Sequence, residues 1–285
     1  MADHGFPQSN GDGSASALSG CSVVCGACSP VNARKRHRHA FPENPMSGNA
    51  TLVSLILVLC SVAGTSRRIW AQDAESRYPS MAALDQYLMA DRNAEILLAR
   101  SAAPTSISSD ATVLVLDKSG YQTAVEGKNG FTCLVERSWM SPFDDPQFWN
   151  AKMRGPICYN PAAVRTILPY TVNRTKMALS GLSKAQMRAQ ITAAITKKEL
   201  SIPEAGAMSY MMSKDGNLGD SVGHWCPHLM FYVPKTADAS WGADLAGSPV
   251  LYNNQSRDVP EPETIFMVAV FYWSDGTSAP QHALN

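Results

Sequence analysis

Three side chains able to bind metal or carry acid–base chemistry fall two positions apart: His224, Cys226 and His228. In an extended segment, residues two apart point to the same side, so the three can converge on one point. Imidazole with thiolate suits zinc; with a thioether from Met211, Met212 or Met230 the set suits copper. A second chemistry uses the same residues. Cys226, or a serine, beside His228 would make the nucleophile–base pair of a hydrolase. No Gly-x-Ser-x-Gly elbow accompanies it. A third reading is structural, because methionine fills gaps in cores and a histidine at a strand start often bonds backbone.

The stretch around them, residues 207–234, has two apolar runs flanking a loop with Gly and Asp. His228, with Tyr210 and Asp220 from the same stretch, is the expected ligand-binding set. Pro227 has no N–H, so a strand ladder can begin only after it. His228 is then the first strand residue, followed by the apolar run Leu229-Met230-Phe231-Tyr232-Val233. Its imidazole is expected to face a polar pocket, with His224 the more exposed of the two.

The elements that must position this stretch follow from patterning. Ser80 is a candidate cap for a helix carrying Met81, Leu84, Leu88, Ile96 and Leu97. Strands are expected over 112–117, 121–126 and 131–137, joined by Lys118-Ser119-Gly120 and Lys128-Asn129-Gly130 as an antiparallel meander. Residues 141–160 read as an irregular loop, in which Asp144-Asp145 is a solvated turn. Asn160-Pro161 opens a helix that Pro169 divides and Gly181 closes. Ser183 with Gln186 forms a capping box for the next helix, with Met187, Ile191 and Ile195 on one face. Strands follow at 208–212, 228–233, 249–252 and 264–272. The order favours α+β: an antiparallel sheet of a meander plus C-terminal strands, with a central helical pair and an N-terminal helix.

The N-terminal region reads differently. Residues 1–45 are rich in Ser, Gly, Asn and Pro and read as a disordered extension, with Met46 an alternative start. Cys21-x3-Cys25-x2-Cys28 has iron–sulfur spacing, but Ala27 stands where an aromatic residue is usual, so it reads as part of that extension. Residues 46–71 read as a secretory signal peptide, its apolar run too short for a span of ~20 residues. Ile69-x-Ala71 is the expected cleavage site, giving a mature chain from Gln72. An uncleaved anchor is the alternative. Residues 72–285 then form one exported α+β domain, secreted or periplasmic, with no membrane span left. Its cysteines are Cys133, Cys158 and Cys226. In an oxidising compartment Cys133 and Cys158 are expected to bond, closing a loop worth about 3 kcal/mol in the chain-entropy model.

The whole chain carries 24 Lys and Arg and 24 Asp and Glu, a net charge of zero. No basic patch points to nucleic acid, and no Gly-rich phosphate loop occurs.

Three pieces resemble a group of uncharacterised exported bacterial proteins. They are the turn Gly127-Lys128-Asn129-Gly130-Phe131-Thr132-Cys133, the strand Ser209-Tyr210-Met211-Met212, and Pro227-His228-Leu229-Met230. The resemblance brings no activity with it, but it directs attention to His228.

Overall fold

The computed structural model describes residues 77–220, 226–235, 238–252 and 260–279. The N-terminal extension, the signal peptide with its cleavage site and His224 lie outside the described residues.

Among the described residues the fold is α+β: eight strands form one open, mostly antiparallel sheet, with five α-helices. The strands are β1 (Thr112–Asp117), β2 (Gly120–Val125), β3 (Thr132–Glu136), β4 (Gly155–Tyr159), β5 (Met208–Met211), β6 (His228–Pro234), β7 (Val250–Tyr252) and β8 (Glu263–Ala269). They lie in the order β2-β1-β3-β4-β5-β6-β8-β7. The helices are α1 (Arg92–Arg100), α2 (Thr105–Ser108), α3 (Pro161–Thr166), α4 (Leu168–Leu179) and α5 (Lys184–Thr196).

Helix ends follow local chemistry. The Asn160 side chain accepts from Ala163 N, and Pro161 takes the first helical position, where its missing N–H leaves no bond unmade. Pro169 begins a new helix after Ile167, so α3 and α4 are separate. Ser183 and Gln186 form the reciprocal capping box of α5. The first helix differs from the sequence expectation. Ser80 caps nothing; a 3-10 turn (Leu84–Gln86) comes first, and Asp91 caps α1 by accepting from Asn93 N and Ala94 N. A carboxylate serving two otherwise orphaned amides outweighs the apolar spacing upstream.

The β-region also departs from the expected meander. β3 pairs in parallel with β1, not with β2. The chain leaves β2 and crosses the start of β1, where Lys128 N donates to Asp110 O and Thr112 N to Phe131 O. Gly127 permits the crossing: a Cβ there would collide with Thr112 N and lie 2.7 Å from Asp110 O. The supposed loop at 141–160 contains β4, a central strand whose five residues are all buried. Its Gly155 and Pro156 and its lack of alternation hide it from pattern reading.

Strand register separates the two faces. On one, Val113, Cys133, Val135 and Cys158 pack against Ala99, Ala102 and Ala103 from α1 and the turn after it. Cys133 and Cys158 are direct cross-strand partners at disulfide distance, with Cα atoms 4.0 Å apart. On the other face, Leu134, Ile157, Tyr159, Met230, Tyr232 and Met267 pack against Ala163, Ile167 and Tyr170 of the α3–α4 segment. The site lies on this second face.

Candidate functional site: an acidic cavity under helix α4

Strand alternation puts Glu136 (β3), Tyr159 (β4), Ser209 (β5), Tyr232 (β6) and Glu263 (β8) on the face beneath α4. Polar side chains on a covered face must be paired or leave desolvated groups. Most are paired. Tyr159 donates its hydroxyl to Glu136 Oε1 at 2.6 Å, and Thr171 Oγ1 from α4 reaches the same oxygen at 3.2 Å. Tyr232 and Ser209 share a hydroxyl–hydroxyl bond of 2.9 Å.

Arg174, on α4 and 3% exposed, is held by a bidentate bond to Glu261, Nε–Oε1 2.6 Å and Nη2–Oε2 2.9 Å. Its Nη1 is occupied by the carbonyls of Trp139, Met140 and Ser141. Its cationic capacity is therefore largely committed. A second buried pair, Arg137–Glu95 at 2.8 Å, ties the end of β3 to α1.

Glu263 is the exception. It begins β8, is 6% exposed, and its Oε2 has no hydrogen-bond partner among the described residues. Burial pushes its carboxyl up to about 8; nearby Glu261 adds to the rise, while Arg174 and Lys235 oppose it. Burial likewise raises the Glu136 carboxyl, partly offset by the bonds from Tyr159 and Thr171. Both carboxyls border a cavity of about 180 Å³ between the sheet and α4. Gly155, opposite Glu136 in the register, leaves part of that space open. Met230 and Ile265 give the cavity an apolar side.

Among the described residues singled out from sequence, His228, Tyr210 and Asp220 have different surroundings. His228 does start β6, on the α4 face, but is only 2% exposed. Its Nδ1–H donates to Cys226 O at 2.9 Å. Burial lowers its basicity to a pKa of about 4, against the opposing Cys226 bond, so the ring is neutral at physiological pH. Beside it lies a space of about 10 Å³ bordered by Met211, Ser213 and Leu218, room for about one water. Tyr210 is on the opposite face, its ring 6.3 Å from that of Phe131. Asp220 is a surface tether: Tyr78 Oη and Arg77 Nη1 each reach its Oδ2 at 2.7 Å and hold its carboxyl below the usual range. Cys226 is buried. Among the described residues no group of three or more His, Cys, Asp or Glu is arranged to hold a metal ion, and the proposed triad depends on His224.

Sequence reasoning passed over Glu136, Glu261, Glu263 and Arg174. A signal existed for three of them. Glu136 ends a buried run, and Glu261-Pro262-Glu263 leads directly into an apolar strand, where unneutralised acids are unusual. Arg174 carries no such mark, because charged residues on helices are commonplace.

Compared with protein-family models, curated proteins and solved structures, the chain matches none. No helix among the described residues is long and apolar enough to cross a membrane.

Proposed function

We propose that the protein is exported and binds a small molecule in the cavity beneath α4. The observation that carries this reading is Glu263: a buried carboxyl residue that lines the cavity and whose Oε2 has no hydrogen-bond partner among the described residues. Stability alone gives no reason to keep it, since a buried unsatisfied acceptor is worth roughly 1–3 kcal/mol of lost stability. A ligand donor would remove that penalty. The cavity is smaller than the ~300–1,000 Å³ typical of drug-sized ligands, so the ligand is small. Export rests on the signal-peptide pattern of residues 46–71, and cysteines at disulfide distance are consistent with it.

The copper or zinc reading stays tied to His224 and gains no support from the buried Cys226 and His228. Nor does a hydrolase of Cys226 or Ser213 with His228, because the space there takes about one water. Ser213 is also engaged, its Oγ 2.6 Å from that of Ser101.

Protein-observed NMR against a library of small fragments tests the binding reading. Saturable shifts should centre on residues such as Tyr232 and Ile265, and Ile265→Phe, which fills the cavity, should abolish them. Shifts confined elsewhere, or unchanged in the filled variant, would remove the site. Intact-mass analysis of exported protein tests the other part; a mass that begins at Gln72 is expected, and one retaining Trp70 would revive the anchor.

A further inference from the structure

The charged residues of the cavity wall also limit what kind of small molecule the cavity takes. Its walls include four carboxyl residues, Glu136, Asp145, Glu261 and Glu263, and two guanidinium residues, Arg137 and Arg174. Both guanidiniums are already matched, Arg137 by Glu95 and Arg174 by Glu261. Neither Glu136 nor Glu263 is directly ion-paired with these guanidiniums; Arg174, and for Glu263 also Lys235, act on them only at longer range. An anion would find both wall guanidiniums already paired, in a poorly solvated space where an unpaired charge is costly. A neutral ligand would leave Glu263 protonated and gain no ion pair.

We propose that the cavity binds a small organic cation, its ammonium or amidinium group paired with the Glu263 carboxyl and its apolar part along Ile265 and Met230. The inference rests on the cavity being a binding site at all. The register supports this pose: Ile265 lies two residues beyond Glu263 on the same face, paired with Tyr232, and Met230 is two residues from Tyr232 on that face. The surface next to the carboxylate is therefore an aromatic ring followed by aliphatic and thioether side chains. Such a surface suits an alkyl or aryl stem and a cation near a tyrosine face. It does not suit a metal ion, which needs several oxygen or nitrogen ligands; no such group is found among the described residues.

Binding then carries a proton signature. The groups facing Glu263 are Glu261 ahead of its strand, Arg174 and Tyr170 from α4, Tyr232 from β6 and Lys235 just beyond β6. The cation needs the ionised carboxylate, whereas the empty site holds a proton up to about pH 8. Each ligand bound below that pH should release close to one proton, and affinity should rise about tenfold per pH unit until it levels near pH 8.

Three isosteric probes decide the matter on the full exported chain: n-butylammonium, n-butanol and n-butyrate. Titration by protein-observed NMR gives affinity and location, and calorimetry in buffers of differing ionisation enthalpy counts protons. Butylammonium alone should bind in the cavity, roughly fiftyfold tighter at pH 8 than at pH 6, with release of a proton. Glu263→Gln should abolish both the binding and the pH dependence. If butanol or butyrate binds there as tightly, or if Glu263→Gln binds butylammonium as wild type does, the cation assignment falls and the binding site stands. If no probe or library fragment gives saturable shifts in the cavity, both fall. Should Glu263→Gln fail to fold, the proton count on wild type decides alone: no proton released below pH 8 overturns the proposal.

Discussion

His228 and Glu263 begin the two paired strands β6 and β8, and the antiparallel register sets them at opposite ends of one ladder, opposite Ala269 and Pro234 respectively. Both side chains are on the α4 face and almost fully buried. Burial acts on both in the same sense, against charge: the imidazole becomes a weaker base and the carboxyl a weaker acid. They differ in the space beside them. His228 donates to a neighbouring carbonyl beside room for about one water. Glu263 lines a cavity of about 180 Å³. A displaced pKa marks desolvation at both ends of the ladder; the open volume alone distinguishes a site from a packed core group.

The sharpest way to break this comparison lies two residues from Glu263. Glu261→Ala should leave Arg174 buried without its carboxylate and cost about 3–5 kcal/mol in urea unfolding. Loss of under about 1 kcal/mol would mean that Arg174 is free to serve Glu263 instead.

Glu263 itself should behave in the opposite sense. Its folded pKa lies above the ordinary carboxyl value, so between about pH 4.5 and about 8 the folded state holds a proton that the unfolded state has lost. Its contribution is full below that window and falls by about 5 kcal/mol across it as pH rises. Unfolding curves of wild type should show this decline, and Glu263→Gln should flatten it. A decline that persists in the variant would assign it to other groups, Glu136 first.

At the other end of the ladder the sign reverses. His228 has its pKa lowered from 6.5 to about 4, so its contribution is full above about 6.5. It is lost as pH falls to about 4, by about 3 kcal/mol. His228→Gln should reduce that acid-side slope and leave fragment binding in the cavity intact. Loss of binding without loss of stability would transfer the site to His228.

The smallest effect reports on the cavity wall. Ser209→Ala removes the partner of the Tyr232 hydroxyl. A loss near 1 kcal/mol in thermal unfolding is expected if cavity solvent can replace the serine; a loss of 2–3 kcal/mol would indicate a dry wall.

Local chemistry was legible in the chain. Asn160-Pro161, Pro169 and the Ser183–Gln186 box place helix ends through bonds made within a few residues, and these appear where they are expected. The runs at β1, β6 and β8 declare themselves through β-branched and apolar content. Pairing order was not legible. Only in three dimensions does Gly127 carry the chain across β1, making β3 its parallel neighbour, and only there does the buried segment Gly155–Tyr159 become a central strand. The candidate site belongs to this second kind. Glu136, Arg174 and Glu263 are distant in sequence, and which carboxyl Arg174 neutralises depends on side-chain reach after the sheet has formed. The sequence states the charge of each group; desolvation and the choice of partner are properties of the folded arrangement.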